Sequence, residues 1–137
     1  MRAIAAVLAC VVLGAAPALA APAVVKATLR TATPTPTVDE PWRWTVSVKD
    51  AKGRSLAAKM RLQILLGSLV VGCWKGAAMT QCTGAGSGTW IPFRGIRTGV
   101  LTWPDQSVGV KLTFQAVVVT GGKTLRLRAP VTVQAPA

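Results

Sequence analysis

Histidine and tyrosine are absent from this sequence, and only four of its 137 residues are acidic: Asp39, Glu40, Asp50 and Asp105. Without histidine no side chain has an ordinary pKa near neutrality. That removes the usual general base of hydrolytic triads and the commonest metal ligand. Asp39 and Glu40 are neighbours on a turn-like stretch, so their carboxylates need not converge, and no serine–lysine motif stands in for a triad. Cysteine is scarce too. Cys10 falls in the apolar N-terminal run, which leaves Cys73 and Cys82. Their spacing is not that of a Cys-x-x-Cys redox or metal pair. Beyond the leader the methionines are Met60 and Met79, and Met60 sits in an apolar repeat that reads as core, so a soft-metal site is not indicated. The glycine run Gly84–Gly88 lacks the Lys-Ser/Thr that closes a phosphate loop and reads as a flexible loop. These absences predict a protein that is not an enzyme and that carries no metal and no cofactor.

What is abundant is positive charge and apolar surface. Sixteen lysines and arginines give a formal charge of +12, while 51% of residues are hydrophobic. A basic tail is excluded by that hydrophobicity, and a basic globular domain is expected. The one long apolar run opens the chain. Met1-Arg2, the apolar stretch from Ala3 to Leu13, the breakers Gly14 and Pro17, and Ala18-Leu19-Ala20 make up a secretory signal peptide over residues 1–20. Cys10 has only nine residues before it and the apolar run continues past it, which argues against a lipid anchor there. Residues 21–137 then form one domain, secreted or periplasmic, and in that setting Cys73 and Cys82 are expected to pair.

The strongest local signal runs from Val110 to Val133. Two alternating segments meet at Gly121-Gly122, a two-residue turn that accepts the positive φ of a tight hairpin. With Thr120 opposite Lys123, the pairs Val118–Leu125, Ala116–Leu127, Phe114–Ala129, Leu112–Val131 and Val110–Val133 are all apolar. Lys111, Thr113, Gln115, Arg126, Arg128 and Thr132 take the other side. A slip of one residue would bury arginines, so the register is well determined. Pro130 falls opposite Thr113 in a pair that needs no N–H from it, which suits an edge strand.

The same alternation marks a strand from Pro41 to Lys49, with Trp42, Trp44, Val46 and Val48 inward, and another from Ala58 to Leu66, with Lys59, Arg61 and Gln63 outward. Val24–Arg30 and Leu69–Trp74 read as further strands. Thr31–Thr37 is an extended Thr/Pro stretch, a loop or a stalk. The segment from Gly72 to Gly99 breaks the pattern, and Leu101-Thr102-Trp103 reads as a short strand stopped by Pro104.

The run Pro-Trp-Arg-Trp-Thr-Val-Ser-Val-Lys-Asp-Ala-Lys-Gly-Arg-Ser-Leu, residues 41–56, resembles the second strand and following turn of bacterial immunoglobulin-like and fibronectin-type-III-like secreted domains. The likeness extends over about Val24 to Gln134. It departs from antibody domains in two ways: the strand from Trp42 to Val48 carries no cysteine, and a tyrosine corner cannot form. The resemblance implies an all-β, immunoglobulin-like antiparallel β-sandwich of seven or eight strands, used for spacing or binding.

That fold places the strand from Ala58 to Leu66 in one sheet with the terminal hairpin. Lys59, Arg61, Lys111, Arg126 and Arg128 then share one solvent face, a candidate surface for an anionic polymer of the cell envelope or outside it. Arg43 and Lys49 fall on the opposite sheet. Two other readings stay open. Trp90, Phe93 and Trp103 form a stacking platform for sugars, or they plug one end of the sandwich. Alternatively the charge serves solubility alone in a structural or protein-binding module.

Overall fold

A computed structural model of the chain describes residues 24–137; the export signal expected over residues 1–20 lies outside the described residues. Among the described residues nine strands form in chain order: β1 (Val25–Thr31), β2 (Trp42–Asp50), β3 (Ala57–Leu66), β4 (Leu69–Lys75), β5 (Ala78–Gln81), β6 (Ile91–Arg94), β7 (Ile96–Leu101), β8 (Lys111–Thr120) and β9 (Lys123–Thr132). They make two antiparallel sheets. One has the order β1-β2-β7; the other has the order β5-β4-β3-β8-β9, with β6 beside the first half of β3. The chain changes sheet after β2, β6 and β7. This is the connectivity of an immunoglobulin-like sandwich, with one strand more than the seven or eight expected.

Period-2 patterning builds the core. Trp42, Trp44, Val46 and Val48 of β2 are buried, as are Met60, Leu62 and Ile64 of β3, Phe114, Ala116 and Val118 of β8, and Val131 of β9. Trp42 sits edge-on to both Phe114 and Trp103, with centroids 5.1 and 5.2 Å away, an arrangement that suits the ring quadrupoles. Its indole N–H donates to Thr33 O at 2.8 Å.

The hairpin pairs in the expected register from Lys111–Thr132 to Thr120–Lys123. Its open end differs. Val133 bridges Val108 in parallel instead of facing Val110, because Gly109 turns its N–H onto Val133 O at 2.9 Å. β9 is an edge strand, as Pro130 requires. The Thr31–Thr37 stretch is a loop of the domain. Thr132 N–H donates to Pro34 O at 2.9 Å and Gln134 N–H to Pro36 O at 2.8 Å, so this loop closes the last part of that edge.

The segment from Gly72 to Gly99 is more regular than the sequence predicts, since β5, β6 and most of β7 lie in it. β7 hides itself by inverting the usual alternation. Ile96 and Val100 face solvent, and Gly99 faces the core opposite Trp44. A β-carbon on Gly99 would lie 2.2 Å from Trp44 Cζ2, so the glycine is the space the indole fills. The expected strand Leu101-Thr102-Trp103 does not form. Leu101 ends β7, and Trp103 turns into the core, 1% exposed, ahead of a 3-10 turn at Asp105–Ser107.

Candidate polyanion-binding face

β3, β8 and β9 lie side by side, so their outward residues align in rows across the six-stranded sheet. Arg61 pairs with Val117, which pairs with Arg126. In the next row Gln63 pairs with Gln115, which pairs with Arg128. One step beyond the Met60–Ile91 pair, Trp90 comes level with Arg61. Its ring centroid lies 4.1 Å from Arg61 Cζ and 4.6 Å from Lys59 Nζ, two cation–π contacts on one indole. The sequence offered Trp90 and the cations as separate candidates, and the fold joins them.

Lys59, Arg61, Arg126 and Arg128 therefore form one patch with Trp90 at its margin. Lys111 stands apart. It is on the same face of β8, but six residues from Val117, or about 20 Å along the strand. No carboxylate occurs anywhere on the strands of this sheet or on the loop from Cys82 to Trp90. The patch thus offers positive charge and an aromatic ring.

The face is less open than alternation alone implies. Gln63 is 1% exposed and Gln115 3%. The reason is the glycine-rich loop, which lies down on the sheet. Gln63 Nε2 donates to Ala85 O and Ser87 O, both at 2.8 Å, and Arg61 donates to Gly86 O at 2.6 Å. Gly88, at φ +112°, passes over Arg61 and Cys73, where a β-carbon would come 3.4 Å from Arg61 Cβ. The polar ladder continues outward. Gln115 Nε2 donates to Gln63 Oε1 at 2.9 Å, and Arg128 Nε donates to Gln115 Oε1 at 2.7 Å. Each amide is oriented by a partner on both sides, so the flexible loop expected at Gly84–Gly88 is instead tied to the edge strand β9.

Beneath that loop the outer face holds a second small core of Leu65, Val70, Cys73 and Cys82. The two cysteines form a disulfide with Cα atoms 5.6 Å apart, joining β4 to the start of the loop.

The three aromatics offered as a platform are not brought together. Trp90 is half-buried on the outer face; Phe93, opposite Ala58, packs against the main core; and Trp103 is inside it. The opposite sheet also departs from expectation, because β1 adds Lys26 and Arg30 to the face that carries Arg43 and Lys49. The sequence contained both residues, but only strand pairing reveals which face they join.

No family model matches this chain, and no curated protein matches it. Among solved structures it is similar to the CARDB domain of a Pyrococcus furiosus protein, crystallised in complex with di-metal ions. The identity is 14% and the TM-score 0.49, with 83% of this chain and 96% of that one covered. It is also similar to Spo0M, a sporulation control protein from Bacillus subtilis, at 13% identity and TM-score 0.45. There 82% of this chain is covered, and this chain spans half of that one. Among the described residues no three of His, Cys, Asp and Glu come together, and no helix is long and apolar enough to cross a membrane.

Proposed function

We propose that this chain is an exported, non-catalytic binding module that holds an acidic polysaccharide of the cell envelope or extracellular space. It does so through Lys59, Arg61, Arg126 and Arg128, with Lys111 at the far rim. The observation that carries the reading is the carboxylate-free row Trp90–Arg61–Val117–Arg126, flanked by Lys59. Trp90 holds Lys59 and Arg61 on its ring, so part of the entropy of fixing those long side chains is already spent before a ligand arrives. The ring edge supplies apolar contact to a sugar, and the cations meet its acidic groups. The disulfide Cys73–Cys82 suits an oxidising compartment.

Retention on immobilised polygalacturonate tests this. Lys59 and Arg126 are exposed and carry no part of the polar ladder, so Lys59→Gln with Arg126→Gln should fold normally. Wild-type affinity should fall steeply with salt, and the double variant should lose roughly one unit of logarithmic salt slope per cation removed. An unchanged slope would leave the cations as a solubility device of a structural or protein-binding module.

A further inference from the structure

The outer face of the three-stranded sheet carries a second set of cations that the reading above does not use. Register places Lys26 directly opposite Lys49, and Arg30 opposite Thr45 with Arg43 one outward position further on. The two cationic groups stand at opposite ends of the face, about 20 Å apart along β2. Between them runs a band of hydroxyls, Thr28, Ser47, Thr45 and Thr98, with Thr45 and Thr98 Oγ1 atoms 3.3 Å apart. Ile96 and Val100 border the band and are 61% and 45% exposed. Among the described residues none of the four cations meets a carboxylate. Like charges directly opposite one another across a strand pair disfavour the sheet, yet Lys26 and Lys49 stand that way with no acid to offset them.

We propose that this face is a second surface for the same acidic polysaccharide, and that the module is a cross-bridge between two polymer chains. The proposal rests on the function proposed above for its ligand class. Two points carry it further. The face pairs fixed cations with hydroxyl donors and acceptors and with exposed apolar side chains, the mixture a carboxylated sugar can satisfy in full. Its geometry also forces independence. The two sheets lie about 10 Å apart at their backbones, and their cations project in opposite directions. The charge layers are therefore separated by more than the ~8 Å over which charges act in concert at physiological salt. One extended chain cannot lie on both faces, so each face recruits its own.

Titration with a short oligogalacturonate, followed calorimetrically, reads the number of chains bound. Two variants separate the faces: Lys59→Gln with Arg126→Gln, and Lys26→Gln with Arg43→Gln and Lys49→Gln. Wild type should bind two oligomers, and each variant one. With long polygalacturonate, wild type should give large scattering complexes, and each variant should still bind but scatter at least tenfold less. If wild type binds one oligomer and only the six-stranded-face variant loses it, the cross-bridge is wrong and the first reading stands. If only the three-stranded-face variant loses it, the second surface is real and the first reading is wrong. No binding by wild type overturns both.

Discussion

Replacing Gln63 by Met tests the polar ladder that ties the glycine-rich loop to β9. The new side chain has similar reach and no polar atoms. Three hydrogen bonds disappear: two from Gln63 Nε2 to Ala85 O and Ser87 O, and one that Gln63 Oε1 accepts from Gln115 Nε2. The loop carbonyls can be rehydrated, so each lost bond there costs about 0.5–1.5 kcal/mol. Gln115 Nε2 cannot, since Gln115 is 3% exposed, and a buried orphan donor costs about 1–3 kcal/mol. Gln63→Met should therefore destabilise by about 2–6 kcal/mol. Gln115→Met alone should cost about 1–3 kcal/mol, because it orphans Gln63 Oε1 while Arg128, at the exposed edge, returns to water. The double variant has no orphan at either amide. Both orphan penalties are then absent, so its cost should fall below the sum of the singles by about 2–6 kcal/mol. Urea unfolding of the four proteins gives the cycle. Amide exchange at Ser87, whose N–H donates to Gly84 O, shows whether the loop opens first. Costs that add to within about 0.5 kcal/mol would refute the ladder as a coupled unit.

Three further outcomes are expected. Gly99→Ala should destabilise by about 1–3 kcal/mol through overpacking on Trp44, and a smaller ring in Trp44→Phe should recover part of that loss in a thermal melt. Alkylation of native protein without reduction should add no mass, and Cys73→Ala with Cys82→Ala should lower stability by about 2.5–3 kcal/mol, the chain-entropy value for a loop this short. The Arg54 backbone N–H, with help from its guanidinium and the Lys52 N–H, holds the Asp50 carboxyl below its usual range. A depressed folded-state pKa means stability that is present above the unfolded value near pH 4 and lost as pH falls through the folded one. The gap in melting temperature between wild type and Asp50→Asn should therefore be constant above about pH 5 and close below about pH 4.

The elements that could be read from sequence are those whose alternation coincides with burial. β2, β3 and the β8–β9 hairpin each place apolar residues at every second position, and the pairing from Lys111–Thr132 to Thr120–Lys123 followed from that alone. β7 was illegible because its signal is reversed: Gly99 occupies the inward slot to admit Trp44, and the visible apolar residues face water. The ladder was hidden for another reason. Gln63 and Gln115 fall in outward slots, where alternation predicts solvent. Only a loop more than twenty residues away in sequence reveals that they are covered. Arg128 shares this fate. Alternation sets it among the outward cations, yet it terminates the ladder, so Arg128→Asp would set a carboxylate beside Gln115 Oε1. In the same way, Trp90 acquires meaning only when β6 pairs with β3 and brings the indole to Lys59 and Arg61.

Where the four acids sit bears on whether the charge has a purpose. Asp39, Glu40 and Asp105 lie at one end of the sandwich, around the start of β2 and the end of β7, where Asp39 N–H donates to Trp103 O at 3.1 Å. Asp50 closes β2 at the other end and is engaged by Arg54 at 2.8 Å. Both broad faces are thus left without an acid. Folding does not require this, since exposed charges contribute little to stability and the core of Trp42, Phe114 and their neighbours forms whatever signs lie outside. Solubility does not require it either, because a net charge keeps a domain dispersed with both signs interspersed on each face. Acids at the ends would steer an anionic chain away from the ends and onto the flat sheets. That outcome depends on the placement of the charges as well as on their sum. Exchanging positions at constant net charge, with Asp105→Lys against Arg126→Asp, isolates this effect. Made in the Lys26→Gln, Arg43→Gln, Lys49→Gln background, where the six-stranded face binds alone, the exchange should lower polygalacturonate affinity at least tenfold, and an unchanged affinity would show that net charge alone does the binding.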